Sequence, residues 1–433
     1  MDVTDHALYI GGKWAPSGSG KRVDVVDPAT NRPIARVASG TKEDVAAAVE
    51  AARTAFESPE WRDLDPSKRG RLLWLLGQQV RDHFDELARL ESLNVGKPIR
   101  EAKGDIGYVY KLFEYYAGLA DKIQGETIPV PGARFDYTLR PPLGVTAHIA
   151  PWNYPLLLAC RGIAPALAAG NTVVLKPATL TPLTALKLGE LAGAAGFPPG
   201  VLNVITGPGR EVGDALAHHP DTDSVTFTGS TETGKQLLRI VADRVVPTTL
   251  ELGGKNPQIV LPDAKLDRAV RGALWGAFQN AGQMCWAGSK LLVHQDIATA
   301  FLAKLKDQTE KLRIGPGVRE EVQMGPLVSR EHAANVAKAI EQSASHGAKI
   351  LAGGRKPDSP PYGLSAGLWT QDVGKAHAIA ARLEAGMVSI NEYPVTFPQT
   401  PFLGWKQSGL GLEQGIDAVL FYTHVKNVLV NLE

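Results

Sequence analysis

The chain has 433 residues, enough for two or three domains with ample core. Its 46 basic and 45 acidic side chains leave a formal charge of +1, which argues against a charge-driven attraction to nucleic acid or an anionic membrane. Two cysteines rule out a disulfide framework and fit a reducing compartment.

The opening MDVTDHALYIGGKW lacks the charged-then-apolar order of a secretory signal. YIGGKW and VDVVDP read as short strands, punctuated by Gly, Ser and Pro turns. Helical patterns follow over Lys42–Phe56, Pro66–Leu93 and Ile99–Ala120, the first opening after Thr41 as a candidate N-cap. The apolar stretch Leu143–Leu175 is broken by Pro151, Pro155, Arg161 and Pro165, so it is no membrane span. From Gly144 onward β-branched runs (VTAHIAP, NTVVLKP, VLNVITG, SVTFTGS) alternate with helix-compatible stretches. That alternation predicts an α/β fold with a parallel, doubly wound sheet. A second α/β region begins at Asp263, with helices near Leu266–Ala281, Ile297–Leu312 and Arg330–His346, and the tail YTHVKNVLVNL reads as a strand. The expectation is a soluble cytoplasmic protein without nucleic-acid or membrane partners.

Two Gly-rich turns follow strands. TGPGREVG (Gly207, Gly209, Gly213) is close to a dinucleotide fingerprint, and FTGSTETGK (Gly229, Gly234, Lys235) nearly spells a P-loop. Gln236 stands where a P-loop needs a hydroxyl for magnesium, which argues against nucleotide hydrolysis. Either turn could offer a helix N-terminus to a pyrophosphate, or be an ordinary βα connection. Lys176 closes NTVVLKP at a strand's C-terminal edge, where ligands bind in open sheets, though a solvated surface lysine would read the same way. Cys160 falls in an apolar helical run and reads as core, and His218 and His219 read as a solvated turn. The ten histidines show no metal-ligand spacing, so no metal is expected.

QNAGQMCWAG carries Cys285 among Gly, Gln and Asn residues that suit a loop with exposed backbone N–H groups. One strand and one helix upstream, LELGGKNP carries Glu251. A thiol with a carboxylate base is what nucleophilic catalysis uses, whereas a lone Cys is otherwise a small buried hydrophobe.

In order along the chain stand PWNYP with Asn153, VVLKPAT with Lys176, FTGSTETG, LELGGKNP, GQMC, MGPLVS and PFLGWKQSGLG. This set resembles the aldehyde dehydrogenase superfamily, nearly end to end. The resemblance implies a Rossmann-like NAD(P) domain (residues 1–121 and 141–253), an α/β catalytic domain (254–420) and a β arm for oligomerisation (122–140 and 421–433). A homodimer or homotetramer acting on a small aldehyde follows from it. It further implies that Cys285 is the nucleophile, that the Asn153 amide and the Cys285 N–H hold an oxyanion, and that Glu251 activates the water that hydrolyses a thioester. Glu413 matches a proton-relay glutamate, or is a solvated carboxylate at a helix start. Trp152, Lys176, Gly209, Gly229 and Ser230 match adenosine and pyrophosphate contacts. Thr179, Thr231, Glu232, Thr233 and Gly234 belong to the same cofactor-binding set, and Leu252 lies near the nicotinamide.

Three departures stand out. Thr179 replaces a glutamate that NAD-preferring members use on the adenosine ribose, so NADP is admitted beside NAD. Arg161, two helical turns beyond Asn153, matches an arginine that grips a substrate carboxylate in some members, but its usual companion position holds Gln279. Between Arg355 and Tyr362 the chain runs through KPDSPP where the family has on the order of fifty more residues, including an E-x-F-G-P segment that holds the nicotinamide ribose. The catalytic domain is therefore expected to be shortened and to expose apolar surface. The alternative to an active dehydrogenase is a relic that binds nucleotide or partners, or whose thiol only hydrolyses esters.

Overall fold

The computed structural model describes residues 3–345 and 362–433. The expected internal shortening at 356–361 lies outside the described residues.

Five parallel strands form the centre of an eight-stranded sheet. Across it they run Thr248–Glu251, Ser224–Thr228, Val145–Ile149, Thr172–Lys176 and Leu202–Val204. Chain order reverses between Val145–Ile149 and Ser224–Thr228, which is where a doubly wound sheet opens a crevice at its strand C-termini. Antiparallel strands extend both edges: Gly409–Leu410 on one side, Leu8–Ile10 and Lys13–Ala15 on the other.

The central strands are buried almost throughout because both faces are covered. Val145, Ala147 and Ile149 pack with Val45, Ala48 and Val49 of the helix Lys42–Glu57 and with Leu237 of the helix Thr231–Ala242. Val173 and Leu175 face the other way, into the helices Pro155–Ala169 and Leu183–Ala194. Cys160 is fully buried there, as its apolar setting predicted.

Thr41 caps the helix Lys42–Glu57 through a reciprocal box with Asp44, a motif that contributes about 1 kcal/mol. The helix expected over Pro66–Leu93 is two helices, Pro66–Asp82 and Phe84–Val95. They break at His83, whose Nδ1 bonds back to the Gln79 carbonyl.

The second α/β region holds a four-stranded parallel sheet in the order Lys290–Val293, Pro257–Val260, Ser365–Trp369, Met387–Ile390. The helices Leu266–Phe278 and Gln295–Glu310 cover it, with Phe301 and Trp369 in its core. Leu292, on the edge strand, is 47% exposed. A three-stranded antiparallel sheet of Thr127–Ile128, Arg134–Leu139 and Lys426–Asn431 stands apart, with Phe135, Leu139 and Leu429 exposed. Among the described residues no helix is long and apolar enough to cross a membrane.

Candidate active site

Two channels meet at one thiol. A cavity of about 930 Å³ opens at the C-terminal ends of the central strands, and a second of about 450 Å³ adjoins it, sharing Leu158 and Met284 in its lining. Cys285, half-buried and free, lines both. Cys285 is therefore the point where a molecule in one channel can react with a molecule in the other.

The helix expected to continue to Ala281 ends at Phe278, and the chain turns sharply toward the thiol. Asn280 (φ 48°) and Ala281 (φ 55°) both adopt the left-handed conformation, at a cost of about 1–3 kcal/mol each. Hydrogen bonds hold that turn. The Asn280 N–H donates to the Glu101 carboxylate at 2.8 Å, and its side-chain Nδ2 donates to the Asn153 carbonyl at 2.9 Å. Asn153 Nδ2 donates to the Gln283 carbonyl at 2.9 Å, so one of its two N–H bonds is committed and the other is free for a ligand.

Around the thiol lies a buried charge group. Glu251 ends its strand 3% exposed, with Oε1 unpaired. Glu413, expected as a relay or a solvated carboxylate, is 2% exposed and forms an ion pair with Arg161 at 2.5 Å. Arg161 also lies over the Phe402 ring, 3.8 Å from its centroid. Burial pushes the Cys285 thiol up to about 12, Arg161 pulls it back, and Glu251 adds to the rise. Burial likewise holds Glu251 well above the usual carboxylate range, with Glu413 raising it and Arg161 lowering it. Neither glutamate is on a channel wall, although Leu252, next to Glu251 in the chain, is.

The larger cavity gathers most of the residues expected to hold a cofactor: Trp152, Lys176, Thr179, Gly209, Gly229, Ser230, Glu232, Thr233 and Leu252. Thr231 and Gly234 are not on its wall. Gly234 lies beneath Leu252, where a Cβ would come within 2.7 Å of its side chain, so this glycine serves packing. Ser230 caps the helix Thr231–Ala242, whose N-terminus opens into the cavity. Lys176 is buried, not solvated, and desolvation brings its ammonium down to about 8. A buried cation beside a helix N-terminus suits a phosphorylated dinucleotide. Sequence reasoning missed Arg210, His332 and Tyr362 on this wall: Arg210 stands inside TGPGREVG but was passed over for its glycines, and His332 and Tyr362 lie far off in the chain and outside any motif.

The smaller channel is a tunnel with five aromatic side chains, Tyr108, Tyr154, Trp275, Trp286 and Phe402, beside Leu157 and Leu158 and the charged Arg100, Glu101, Asp105 and Arg161. Gln279 also lines it, so the position of the absent second arginine shares this tunnel with Arg161.

Residues 14–361 and 358–428 match the model of the aldehyde dehydrogenase family. The hydroxyisobutyraldehyde dehydrogenase of Mycolicibacterium austroafricanum is 42% identical over 479 residues, covering 100% of this chain and 95% of the relative. The betaine aldehyde dehydrogenase of Bacillus subtilis strain 168 is 40% identical over 476 residues, covering 98% and 96%. Among solved structures, the NAD+ complex of an aldehyde dehydrogenase from Bacillus cereus superposes with a TM-score of 0.97 at 38% identity, covering 99% of this chain and 97% of that one. The chain belongs to the aldehyde dehydrogenase family, the NAD(P)-dependent oxidoreductases that convert aldehydes to carboxylic acids.

Proposed function

We propose that this chain performs that oxidation through a thioester on Cys285, with the dinucleotide in the larger cavity and an uncharged aldehyde in the aromatic tunnel. The observation that carries the reading is the meeting of the two channels at the thiol. The sulfur attacks the aldehyde carbon, and the carbonyl oxygen takes up negative charge. The free N–H of Asn153 Nδ2 and the Cys285 backbone N–H hold that oxygen. When bound, NAD or NADP supplies the hydride acceptor. Water then adds to the thioester and the sulfur leaves, regenerating Cys285. Glu251 takes the water's proton, and its burial makes it a stronger base for that step. Glu413 accepts the proton onward as a relay.

Lys176, Thr179, Gly209, Gly229, Ser230 and Thr233 hold the adenosine and pyrophosphate. Gly229 cannot carry a side chain, because a Cβ there would sit 2.4 Å from the Phe227 ring. Thr179 presents no negative charge to a 2′-phosphate, which supports use of both NAD and NADP.

Residues 1–121 and 141–253 act as the cofactor domain, 254–420 as the catalytic domain, and 122–140 with 421–433 as an arm. The exposed Phe135, Leu139 and Leu429 on the arm support assembly as a homodimer or homotetramer. A cytoplasmic location agrees with a catalytic thiol that must stay reduced. The catalytic domain is shortened. The alignment to the Mycolicibacterium enzyme runs over more positions than the 433 residues present here, and the two family-model matches meet at residues 358–361. The half-exposed Leu292 fits the loss of covering chain.

The test is formation of reduced nucleotide from a panel of aldehydes with NAD and NADP, with Cys285→Ala as the blank. Turnover absent from the blank supports the reading. A folded, nucleotide-binding protein without turnover on any aldehyde overturns it.

A further inference from the structure

Arg161 is placed where a tunnel residue could meet a substrate, yet its guanidinium is already engaged. It is buried, paired with Glu413 at 2.5 Å, and laid against the Phe402 ring. Glu413 is itself fixed by the backbone, since the Phe402 and Glu413 N–H groups each donate to the other's carbonyl, at 2.7 and 2.8 Å. Residues 402 and 413 therefore clamp the arginine from two sides. On the same wall stands Cys285.

The groups facing the thiol can be named. Arg161 shares a cavity wall with it, and Arg161, Glu251 and Glu413 all act on its charge. The phenols of Tyr154 and Tyr393 sense its charge, and the Trp286 N–H favours its anion. Arg161 in turn feels Glu413, Glu251, Cys285 and Tyr108. Tyr116 and Tyr422 lie within reach of Glu413. Among these groups Arg161 is the cation, against a thiol and two carboxylates that can each become negative. A buried guanidinium stays charged where a buried carboxyl or thiol without a cationic partner tends to stay neutral.

We infer that Arg161 is a positioning residue whose clamped guanidinium is the internal countercharge of the Cys285 thiolate, and not a receptor for a substrate carboxylate. The inference rests on the reading of Cys285 as nucleophile. Glu413 tunes the effect, because its carboxylate offsets part of the arginine's field. Opposite signs then follow for the two partners. Removing the cation makes the thiolate harder to form, and removing the Glu413 charge makes it easier.

The experiment is the pH profile of Cys285 alkylation by iodoacetamide, an uncharged probe that needs no turnover, with Cys285→Ala as the blank. Nucleotide binding would confirm that each variant is folded. Arg161→Gln should move the midpoint up by a pH unit or more, about a tenfold slower reaction at a pH below both midpoints. Glu413→Gln should move it down, and Arg161→Lys should restore most of the parent profile. Acidic and neutral aldehydes should keep the same relative KM in Arg161→Gln. An unchanged alkylation profile, or a KM rise confined to acidic aldehydes, overturns the inference. Should Arg161→Gln not fold, Glu413→Gln decides alone, since a midpoint that fails to fall refutes the countercharge. If the parent gives no turnover but these shifts appear, the dehydrogenase reading fails while the countercharge stands.

Discussion

The Glu101 carboxylate, on a helix 179 residues before Asn280, accepts the backbone N–H of that residue at 2.8 Å and so holds the strained turn that presents the thiol. From there bonds run through Asn280 to the Asn153 carbonyl and through Asn153 to Gln283. Glu101→Ala should release this chain of contacts. Because small misplacement of reacting groups can cost about a hundredfold, kcat should fall by about that factor, with KM changing less. Glu101→Gln keeps an acceptor oxygen and should stay within several-fold of the parent. Equal losses in both variants would show that the charge matters and the hydrogen bond does not.

Behind Glu101 lies a buried cluster in which Lys97 meets Asp105 at 2.6 Å and Glu91 at 3.9 Å. Burial pushes Glu91 up to about 7 from its ordinary 4.5, although Lys97 opposes the rise. Glu101 is raised to about 7 as well, again by burial. Between these limits the unfolded chain has lost protons that the folded chain keeps. Stability should therefore fall as pH rises from 4.5 toward 7 and then level off. Glu91→Gln retains an acceptor for the Thr184 hydroxyl and removes one such titration. Its Tm relative to the parent should be higher at pH 8 than at pH 5. The same Tm difference at both values would refute the assignment.

Strands that alternate with helices were legible because β-branched residues recur in short runs such as VTAHI and TVVLK, set between helix-compatible stretches. Cys285, Glu251 and Asn153 stood out as candidates because their neighbours form motifs. The pairing of Arg161 with Glu413 was not, since 252 residues separate them and neither has a periodic or compositional signal for its partner. Lys176 and Glu413 each allowed a solvated reading, because burial of a charged side chain depends on chain segments far away in sequence. The helix ending at Phe278 also overrode local pattern. QNAG continues an apolar-compatible stretch, and left-handed Asn280 is held by its bonds to Glu101 and Asn153, far off in the chain, together with local bonds to Gln283.

Thr179 donates its hydroxyl to the Gly207 carbonyl at 2.9 Å and leaves the adjoining cavity wall without a carboxylate at that position. The parent should accept both nucleotides. Thr179→Glu should raise the KM for NADP by about tenfold or more, through repulsion of the 2′-phosphate, and leave that for NAD within a few-fold. Strict NAD use by the parent would remove the basis for the prediction.

Tyr362 lines the cavity beside Leu252, Gly253 and Gly254, with its ring 3.8 Å from where a Gly253 Cβ would stand. It follows the point of the proposed shortening, so this ring is expected to pack against the nucleotide in place of the segment that the shortening would remove. Tyr362→Ala should weaken binding of the reduced nucleotide several-fold in a fluorescence titration, and Tyr362→Phe should not. Equal binding by all three proteins would remove Tyr362 from the site.

Lys176 offers a direct handle on the nucleotide itself. Its Nζ donates to the Pro177 carbonyl at 3.0 Å, and desolvation lowers it to about 8. Below that value it is charged, and above it the ammonium loses its proton. A bound anionic nucleotide favours the charged form, so binding near pH 8.5 should take up protons. Affinity should then fall as pH rises past 8, by at most about tenfold per unit. Titration calorimetry in two buffers of different ionisation enthalpy reads the uptake directly. The binding heats should differ between buffers for the parent and coincide for Lys176→Met, whose affinity should be lower and flat across the same range. A variant that keeps the parent's proton uptake would place the titrating group elsewhere in the cavity.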